Sequence, residues 1–207
     1  MFPDTISPKT KRVYEKIGKV AGLKNFYLAG GTALALQLGH RRSIDLDFFC
    51  YKKFVISRLK THLSRQVKIS LRAEEEGTLH IVVGGVRVSF LHYPYSLSYP
   101  KIKYEYNYLA DWRDIAVMKL DAVSSRGSKK DFIDLYFLLD KRSLSSLFNI
   151  FDKKFKQIDY NKAHILKSLV YFKQAETEPM PIMIRPVKWS QVKKELVRAV
   201  EDYLAKN

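Results

Sequence analysis

The sequence predicts an α+β protein with a β-sheet in its first half and helices in its second half. Short runs of β-branched and aromatic residues, separated by glycine pairs, fill much of positions 26–91, as is typical of strands and tight turns. From position 111 onward, apolar residues recur at the spacing of amphipathic helices. Pro94 and Pro100 interrupt both patterns and indicate a connection. We therefore expect a sheet-containing part over residues 1–108 and a helical part over residues 109–207.

The first half is organised around residues 26–49, which read FYLAGGTALALQLGHRRSIDLDFF. This order predicts an apolar strand, a glycine pair, a short helix, a basic turn and a second strand. Gly30 and Gly31 permit a tight turn after the first strand, and the helix beginning at Thr32 has free backbone N–H groups that bind phosphate well. Gly39 is placed to end this helix in a left-handed conformation.

Two carboxylates, Asp45 and Asp47, are expected on one side of the second strand, because side chains alternate along an extended chain. Ile44, Leu46 and Phe48 then point to the opposite side. Two fixed carboxylates repel each other unless a divalent cation, a basic side chain or a water-filled cleft compensates their charge. Beside a phosphate-binding helix end, the pair indicates nucleotide chemistry.

The basic turn His40-Arg41-Arg42 lies just before the strand that bears the carboxylates. Two interpretations are open for each arginine: a contact to phosphate, or a solvated turn residue. For His40 we expect a structural hydrogen bond, and Ser43 is typical of a turn former.

The other elements of the first half follow from periodicity and turn residues. Ser7-Pro8 predicts the start of an opening helix. Tyrosines and lysines alternate over residues 95–108; these tyrosines either pack between the two parts of the chain or stack nucleic-acid bases. Further expected elements are a helix at 52–65, strands at 67–72, 79–83 and 86–91, a hairpin turn at Gly84-Gly85, and a solvated loop at Glu74–Glu76.

In the second half, one carboxylate lies in an otherwise apolar helix. A helix over 111–125 carries Lys119, and Ser128 with Asp131 predicts a capping box at the start of the next helix. Asp134 lies among apolar residues, and a buried acid needs a cationic partner such as Lys119 or Arg126. Further helices are expected at 145–155, 162–174 and 190–204, with a loop containing Pro179, Pro181 and Pro186 before the last.

Net charge is the strongest compositional signal: 37 Lys and Arg against 21 Asp and Glu give +16. Such a field draws polyanions, and RNA is the favoured partner, with an acidic protein or a merely solvating surface as alternatives. The single Cys50 fits a reducing compartment. No apolar run approaches the roughly 20 residues that span a bilayer, and the first residues lack signal-peptide character, so we expect a cytoplasmic protein without membrane association. Bases expected to contact RNA in the last third are Lys153, Lys154, Lys156, Lys193, Lys194 and Arg198.

Two motifs together resemble the nucleotidyltransferase superfamily and, within it, the branch represented by the AbiEii/AbiGii toxins. The first is Gly-Gly-Thr-Ala-Leu-x-Leu-x-Leu-Gly-His-Arg-x-Ser-x-Asp-Leu-Asp-Phe-Phe at 30–49. The second, at 114–139, is a lysine helix followed by Lys-Asp-x-x-Asp-Leu, where the family has Arg-Asp-x-x-Asp-Leu. The resemblance implies a nucleotidyltransferase core over residues 1–108, with a mixed sheet and flanking helices, and an active-site cleft completed by residues 109–207.

By this resemblance, Asp45 and Asp47 are catalytic and hold Mg²⁺ or Mn²⁺. Many members have a third acid on a neighbouring strand, but the matching residue here is Ser89, so a tightly bound second metal ion is not expected. Lys119 and Asp134 are further catalytic residues, with Arg126 and Asp131 in support. The residues implied to bind the nucleoside triphosphate are Gly30, Gly31, Thr32, Arg41, Ser43 and Lys119.

The implied function is transfer of a nucleotidyl group from a nucleoside triphosphate to RNA, with tRNA as a candidate acceptor. The resemblance also implies the toxin of a toxin–antitoxin or phage-defence pair, with an antitoxin protein as partner. Two alternatives stay open. One is an enzyme of the same fold that modifies a small molecule or a protein, and the other is a catalytically degenerate fold that binds RNA or protein.

Overall fold

One mixed sheet and the helices around it make up residues 1–206, which the computed structural model describes. The strands are β1 Tyr27–Ala29, β2 Leu46–Cys50, β3 Ile69–Glu75, β4 Thr78–Val83, β5 Val86–His92, β6 Ile102–Tyr104 and β7 Asn107–Leu109. The helices are α1 Pro8–Gly18, α2 Gly30–Leu38, α3 Ile56–Ser64, α4 Trp112–Ser125, α5 Lys129–Leu139, α6 Leu144–Lys154, α7 Lys162–Leu169, α8 Lys173–Glu176 and α9 Trp189–Leu204, after a 3₁₀ turn at Pro3–Thr5.

The strand order β3-β4-β5-β2-β1-β7-β6 places β2 at the centre of the sheet. On one side β2 runs antiparallel to β1, with Asp47 opposite Ala29. On the other side it runs parallel to β5, with Asp47 opposite Ser89. Asp47 therefore lies between the end of β1, where α2 begins, and the hairpins that form the outer half of the sheet.

Most elements of the first half agree with the sequence prediction. The Ser7 hydroxyl accepts a hydrogen bond from the Thr10 backbone N–H at the start of α1, and α2 ends at Gly39 in the left-handed conformation. The helix expected at 52–65 begins later, at Ile56. The loop expected at Glu74–Glu76 is wrong in part, because Glu74 and Glu75 continue β3 and only the following residues turn.

The connection expected over 95–108 contains two strands that the periodicity did not indicate. β6 and β7 form a short hairpin, and Leu109 of β7 pairs in parallel with Leu28 of β1. The proposed boundary at 108/109 thus falls inside β7. The interpretation of the tyrosines as packing residues agrees with Tyr95, whose ring lies 4.9 Å from that of Tyr93 and 4.8 Å from that of Phe155.

The second half is helical, as expected, with two differences. The segment expected as one helix at 162–174 is broken into α7 and α8. At the start of α5, the Ser128 hydroxyl donates to the Asp131 carboxylate at 2.7 Å instead of capping the backbone. The buried apolar residues of both halves form one continuous cluster, so the two parts share a core. Among residues 1–206, no helix is both long and apolar enough to cross a membrane.

Candidate functional site

A cavity of about 890 Å³ opens between the sheet and the helical half, and both sequence motifs contribute to it. One side of the cavity is formed by Gly30 and Gly31 at the start of α2, by the turn before β2, and by one face of strands β2, β5, β4 and β3. Helix α4 and the proline-containing loop before α9 form the other. The Lys, Arg, Asp and Ser residues that line it are Arg41, Arg42, Ser43, Asp45, Asp47, Arg72, Arg87, Ser89, Lys119, Asp121, Ser125, Arg126 and Lys130.

The glycine pair forms the corner of the cavity at the start of α2. Gly30 has φ +66°, a left-handed conformation that favours glycine. A Cβ at Gly31 would clash with an Nη atom of Arg41, so the guanidinium group can occupy this position only because Gly31 has no side chain. Both glycines line the cavity at the N-terminus of α2, where backbone N–H groups are free to bind an anion.

Thr32 differs from its expected role. Its side chain is buried and does not line the cavity; it hydrogen bonds to Ser43 Oγ at 2.7 Å and to the carbonyl oxygen of Asp45. Thr32 therefore joins the start of α2 to the turn that presents Asp45. Ser43 does line the cavity, as expected.

The carboxylates Asp45 and Asp47 both line the cavity, as the sequence predicts. Burial raises the pKa of Asp47; a hydrogen bond from Ser89 opposes this rise, and the charge of Asp45 adds to it. Asp45 accepts two hydrogen bonds from Arg87, at 2.8 and 3.0 Å. Ile44 differs from expectation: it precedes β2, is 61% exposed and also lines the cavity.

The donor atoms of this pair fit one divalent cation. Carboxylate oxygens are the ligands that Mg²⁺ and Mn²⁺ prefer, and a bound cation would offset the burial, and the smaller repulsion from Asp45, that raise the pKa of Asp47. Within residues 1–206, no group of three or more Asp, Glu, His or Cys side chains is arranged to hold a metal ion. The remaining ligands would therefore come from phosphate and water. The position of the missing third acid is filled by Ser89, whose Oγ lies 3.1 Å from Nδ1 of His80.

Asp134 is not where a catalytic acid is expected. Its side chain is fully buried and does not line the cavity. Its Oδ1 accepts from His40 Nε2 at 2.7 Å and from Arg41 Nε at 2.6 Å, while Oδ2 lies 2.6 Å from Lys119 Nζ. Burial alone would raise the pKa of Asp134, but the charges of Arg41 and Lys119 and these hydrogen bonds hold it well below its usual value. Both oxygens are therefore occupied beneath the cavity floor.

Lys119 links this carboxylate to Asp131. Its ammonium group lies 2.7 Å from Asp131 Oδ1, and its side chain is 5% exposed at the cavity wall. Asp131 also accepts hydrogen bonds from Arg126, at 2.8 and 3.1 Å. Burial alone would raise the pKa of Asp131, but the charges and hydrogen bonds of Lys119 and Arg126 lower it. Asp131 and Asp134 thus fix the positions of three cations that face the cavity: Arg41, Lys119 and Arg126.

The expected structural hydrogen bond of His40 is present, because its Nε2 lies 2.7 Å from Asp134. Burial lowers the pKa of His40, so the neutral ring donates from Nε2. The His40 carbonyl also accepts from the backbone N–H groups of Ile184 and Arg185, both at 3.0 Å. Arg42 N–H donates to the Ile182 carbonyl at 2.8 Å, so the proline loop is fastened to the basic turn and forms a cavity wall.

Several residues that line the cavity were missed by sequence reasoning. His80, Arg72 and Arg87 belong to strands β4, β3 and β5, and Lys130 lies in the first turn of α5. The three strand residues belong to no recognisable short motif, and only the positive net charge pointed to further cations there. Lys130 occupies the arginine position of the second motif, but sequence reasoning gave it no role in the site. By contrast, Lys154, which was expected to contact RNA, is 1% exposed and bound to Asp114 at 2.8 Å.

The cavity is positively charged overall. Seven Lys and Arg side chains line it against three Asp side chains. Asp45, Asp131 and Asp134 engage four of these cations. Within residues 1–206, the guanidinium of Arg42 and the ammonium of Lys130 make no ion pair and no hydrogen bond, although the charge of Lys130 acts on Asp47. A polyphosphate is the ligand class that this field favours.

Solved structures with low sequence identity share this fold. MenT4, a nucleotidyltransferase toxin from Mycobacterium tuberculosis H37Rv, superposes with a TM-score of 0.60 at 13% identity, covering 93% of this chain and 83% of that one. JHP933 from Helicobacter pylori gives a TM-score of 0.57 at 17% identity, covering 95% of this chain and 92% of its own. The fold is therefore that of nucleotidyltransferases, and the α+β class predicted from sequence is confirmed.

The family is shown by the sequence itself. The model of the family described as nucleotidyl transferase AbiEii toxin, type IV toxin–antitoxin system, matches residues 12–113 and 108–206. The chain belongs to the AbiEii nucleotidyltransferase toxin family, which confirms the resemblance carried by the two motifs. An uncharacterised protein of Aquifex aeolicus is 37% identical over 208 residues, covering 96% of this chain and 98% of that protein.

Proposed function

We propose that the protein transfers a nucleotidyl group from a nucleoside triphosphate to an RNA acceptor, with tRNA as the first candidate. One observation carries this proposal: the Asp45–Asp47 pair, the N-terminus of α2 and a surplus of cations meet in a single cavity. The same arrangement supports a metal-dependent reaction. Asp45 and Asp47 would hold Mg²⁺ or Mn²⁺, which when bound neutralises phosphate charge and makes an acceptor hydroxyl more acidic.

In this proposal the triphosphate binds at the corner formed by Gly30 and Gly31. There the free N–H groups at the start of α2 bind its oxygens. Arg41 and Lys119 lie at the same cavity and add positive charge. An acceptor oxygen attacks the α-phosphorus and gives its proton to water in the cavity, while the bond from that phosphorus to the bridging oxygen breaks and pyrophosphate leaves with the electron pair. Lys119 stabilises the charge that develops on the leaving group.

Asp134 acts in this scheme as a positioning residue. It holds Arg41 and Lys119 by ion pairs of 2.6 Å and has no exposed oxygen to touch a substrate. Its low pKa also makes it a poor proton acceptor. We therefore assign the proton-accepting and metal-binding work to groups in the cavity and the orientation of the cations to Asp131 and Asp134.

Three observations favour an RNA acceptor over a small one: the net charge of +16, the surplus of cations at the cavity and the free side chains of Arg42 and Lys130. Membership of a type IV toxin–antitoxin family supports a cognate antitoxin protein, a toxin or phage-defence role, and action in the cytoplasm. A second cavity of about 480 Å³ shares Arg126, Lys130, Met180 and Pro181 with the first and extends it along the helical half.

The proposal is tested by incubating the protein with a divalent metal ion, each labelled nucleoside triphosphate and total RNA. We expect label in RNA, and we expect Asp47→Asn to reduce it by about a hundredfold or more, because a metal-binding carboxylate supplies several kcal/mol to such transfers. The control is Asp202→Asn on α9, whose side chain is 63% exposed. Label that reaches only protein or a small molecule would overturn the RNA acceptor. No transfer to any acceptor would overturn the enzymatic proposal.

A further inference from the structure

The sheet face that carries Asp47 continues beyond the donor corner onto the outer strands. Asp47 is paired with Ser89 on β5, Ser89 with His80 on β4, and Val82 with Arg87. Directly paired residues point to the same side of a sheet. Ser89, His80 and Arg87 therefore share the face of Asp47, and all three line the cavity.

This outer face is accessible and carries polar side chains beside Val82 and Leu91, whereas the opposite face is apolar and buried. Arg87 is 69% exposed on the outer face, and His80 and Ser89 are half-buried there. The opposite face carries buried residues of the same strands: Leu79, Ile81, Val83, Val86, Val88 and Phe90. The strands are thus anchored on one side and free to meet a ligand on the other.

Arg72 adds an unneutralised charge to this face. The pairing of β3 with β4 shifts register between Leu71 and Ala73, so Arg72 occupies a bulge, and bulges redirect side chains. Arg72 is exposed and lines the cavity. Within residues 1–206, its guanidinium makes no ion pair and no hydrogen bond. Glu75, opposite Thr78, is the acid at the far end of the same face.

The chemistry of transfer decides which ligand comes to this face. In an in-line displacement, the attacking oxygen and the leaving pyrophosphate lie on opposite sides of the α-phosphorus. The pyrophosphate corner is on the β1 side of Asp47, because Ala29 and the start of α2 lie there. The acceptor oxygen must then approach from the β5 side, where Ser89 and His80 lie.

We propose that the outer face of β5, β4 and β3 is the acceptor subsite, where Arg72 and Arg87 bind backbone phosphates of the RNA strand. This rests on the proposed transfer to RNA. Ser89 pairs with Asp47 and His80 pairs with Ser89, so both lie between Asp47 and the strand of Arg72 and border the acceptor hydroxyl. β3 is three strand spacings from β2, about 14 Å, which is a reach of a few nucleotides. Charge complementarity selects RNA, because the guanidinium of Arg72 has no acidic partner among residues 1–206 and that of Arg87, although paired with Asp45, is exposed on the same face. Both groups match phosphates and not an apolar partner.

The test measures binding of a 12-nucleotide single-stranded RNA by fluorescence anisotropy over a range of salt concentrations, together with transfer of label to the same RNA. We expect Arg72→Ala to weaken RNA binding about tenfold at low salt, because one charge-assisted hydrogen bond to a phosphate is lost. The slope of log affinity against log salt should fall by about 0.7, the contribution of one phosphate on a single strand. Binding of the nucleoside triphosphate alone should not change, because its corner lies on the other side of Asp47.

Two matched variants make the result decisive. Arg12→Ala removes an exposed arginine of α1 that does not line the cavity and should leave RNA binding unchanged. Arg198→Ala removes a basic side chain of α9. If Arg198→Ala weakened RNA binding and Arg72→Ala did not, the proposal would be overturned. Transfer to RNA by the wild type with undiminished binding by Arg72→Ala would overturn the acceptor subsite alone. Absence of RNA binding by the wild type would overturn both the subsite and the RNA acceptor.

Discussion

At the scale of single residues, the four motif carboxylates fall into two kinds. Asp45 and Asp47 face the cavity, whereas Asp131 and Asp134 are fully buried and bind the cations of the cavity wall. The surroundings explain the difference in their pKa values. Burial raises the pKa of Asp47, while Lys119, Arg41 and Arg126 override burial at Asp131 and Asp134 and lower it. The first pair is suited to a metal ion and the second to holding Arg41 and Lys119.

Asp134→Asn tests this division. The substitution leaves the buried cations Arg41 and Lys119 without their shared carboxylate, so we expect the free energy of unfolding to fall by about 3–5 kcal/mol. Affinity for the nucleoside triphosphate should fall as well, because the two cations are no longer held at the cavity. Urea denaturation and equilibrium nucleotide binding measure the two effects.

The control for this variant is Asp140→Asn at the end of the same helix, where the carboxylate is 49% exposed and 3.5 Å from Arg185. An exposed pair of this kind contributes little, so stability should change by less than about 0.5 kcal/mol. If Asp134→Asn abolished turnover while stability and nucleotide affinity stayed at the wild-type values, Asp134 would be a catalytic residue after all.

At the scale of elements, α2 connects the sheet to the helical half at both of its ends. Its N-terminus opens into the cavity, and near its C-terminus Gln37 bridges to the chain just before α4. The Gln37 amide donates to the Ala110 carbonyl at 2.9 Å, and its carbonyl accepts from the Trp112 N–H at 2.9 Å. Since α4 carries Lys119, Gln37 helps to set the distance between the two sides of the cavity.

Gln37→Ala should therefore cost about 1–3 kcal/mol of stability, because the buried groups of Ala110 and Trp112 lose their partners. Gln37→Glu keeps an acceptor for Trp112 but has no donor for Ala110, so its stability should lie below that of the wild type. Thermal unfolding of both variants measures this, with the exposed Gln174→Ala as the control. Wild-type stability in Gln37→Ala would show that α2 and α4 are held together without this bridge.

At the scale of the whole molecule, excess positive charge and buried carboxylates together set the response to acid. The formal charge is +16 at pH 7 and increases as carboxylates are protonated. Asp131 and Asp134 have lowered pKa values in the folded state. Their contribution to stability is therefore present above the ordinary Asp pKa of about 3.9 and is lost as pH falls below it.

We accordingly expect the free energy of unfolding to hold near neutral pH and to drop steeply below about pH 4, since the unfolded chain then binds more protons than the folded one. Added salt should restore part of the loss by screening self-repulsion. Urea denaturation at a series of pH values measures the effect, with the exposed Asp202→Asn as a variant that keeps the wild-type profile. A free energy of unfolding that stayed constant down to pH 2 would contradict a stabilising role for the ion pairs of Asp131 and Asp134 beneath the cavity.

Local patterns predicted those parts of the fold and candidate site that local chemistry controls. Alternation at the start of β2 placed Asp47, and Asp45 just before the strand, in the cavity, and the glycine pair placed the start of α2 beside them. The periodicity of the outer hairpin gave β4, β5 and their Gly84-Gly85 turn. No local sequence pattern predicted β6 and β7. They form because β7 pairs with the edge of β1, which is distant in sequence.

The sequence by itself determined the α+β class, the family and the central carboxylate pair, because each depends on residue types at short, fixed spacings. The burial of Asp134 and its pairing with Lys119 also followed from its apolar neighbours. Only the tertiary structure decided that Thr32 is buried behind the cavity, that Asp134 also binds His40 and Arg41, and that Arg72, His80 and Arg87 line the cavity. The reason is physical: burial and strand register depend on which distant segments pack together. Side chains from β3, β4, β5 and α5 meet at one cavity only once the sheet and the helices have closed around it.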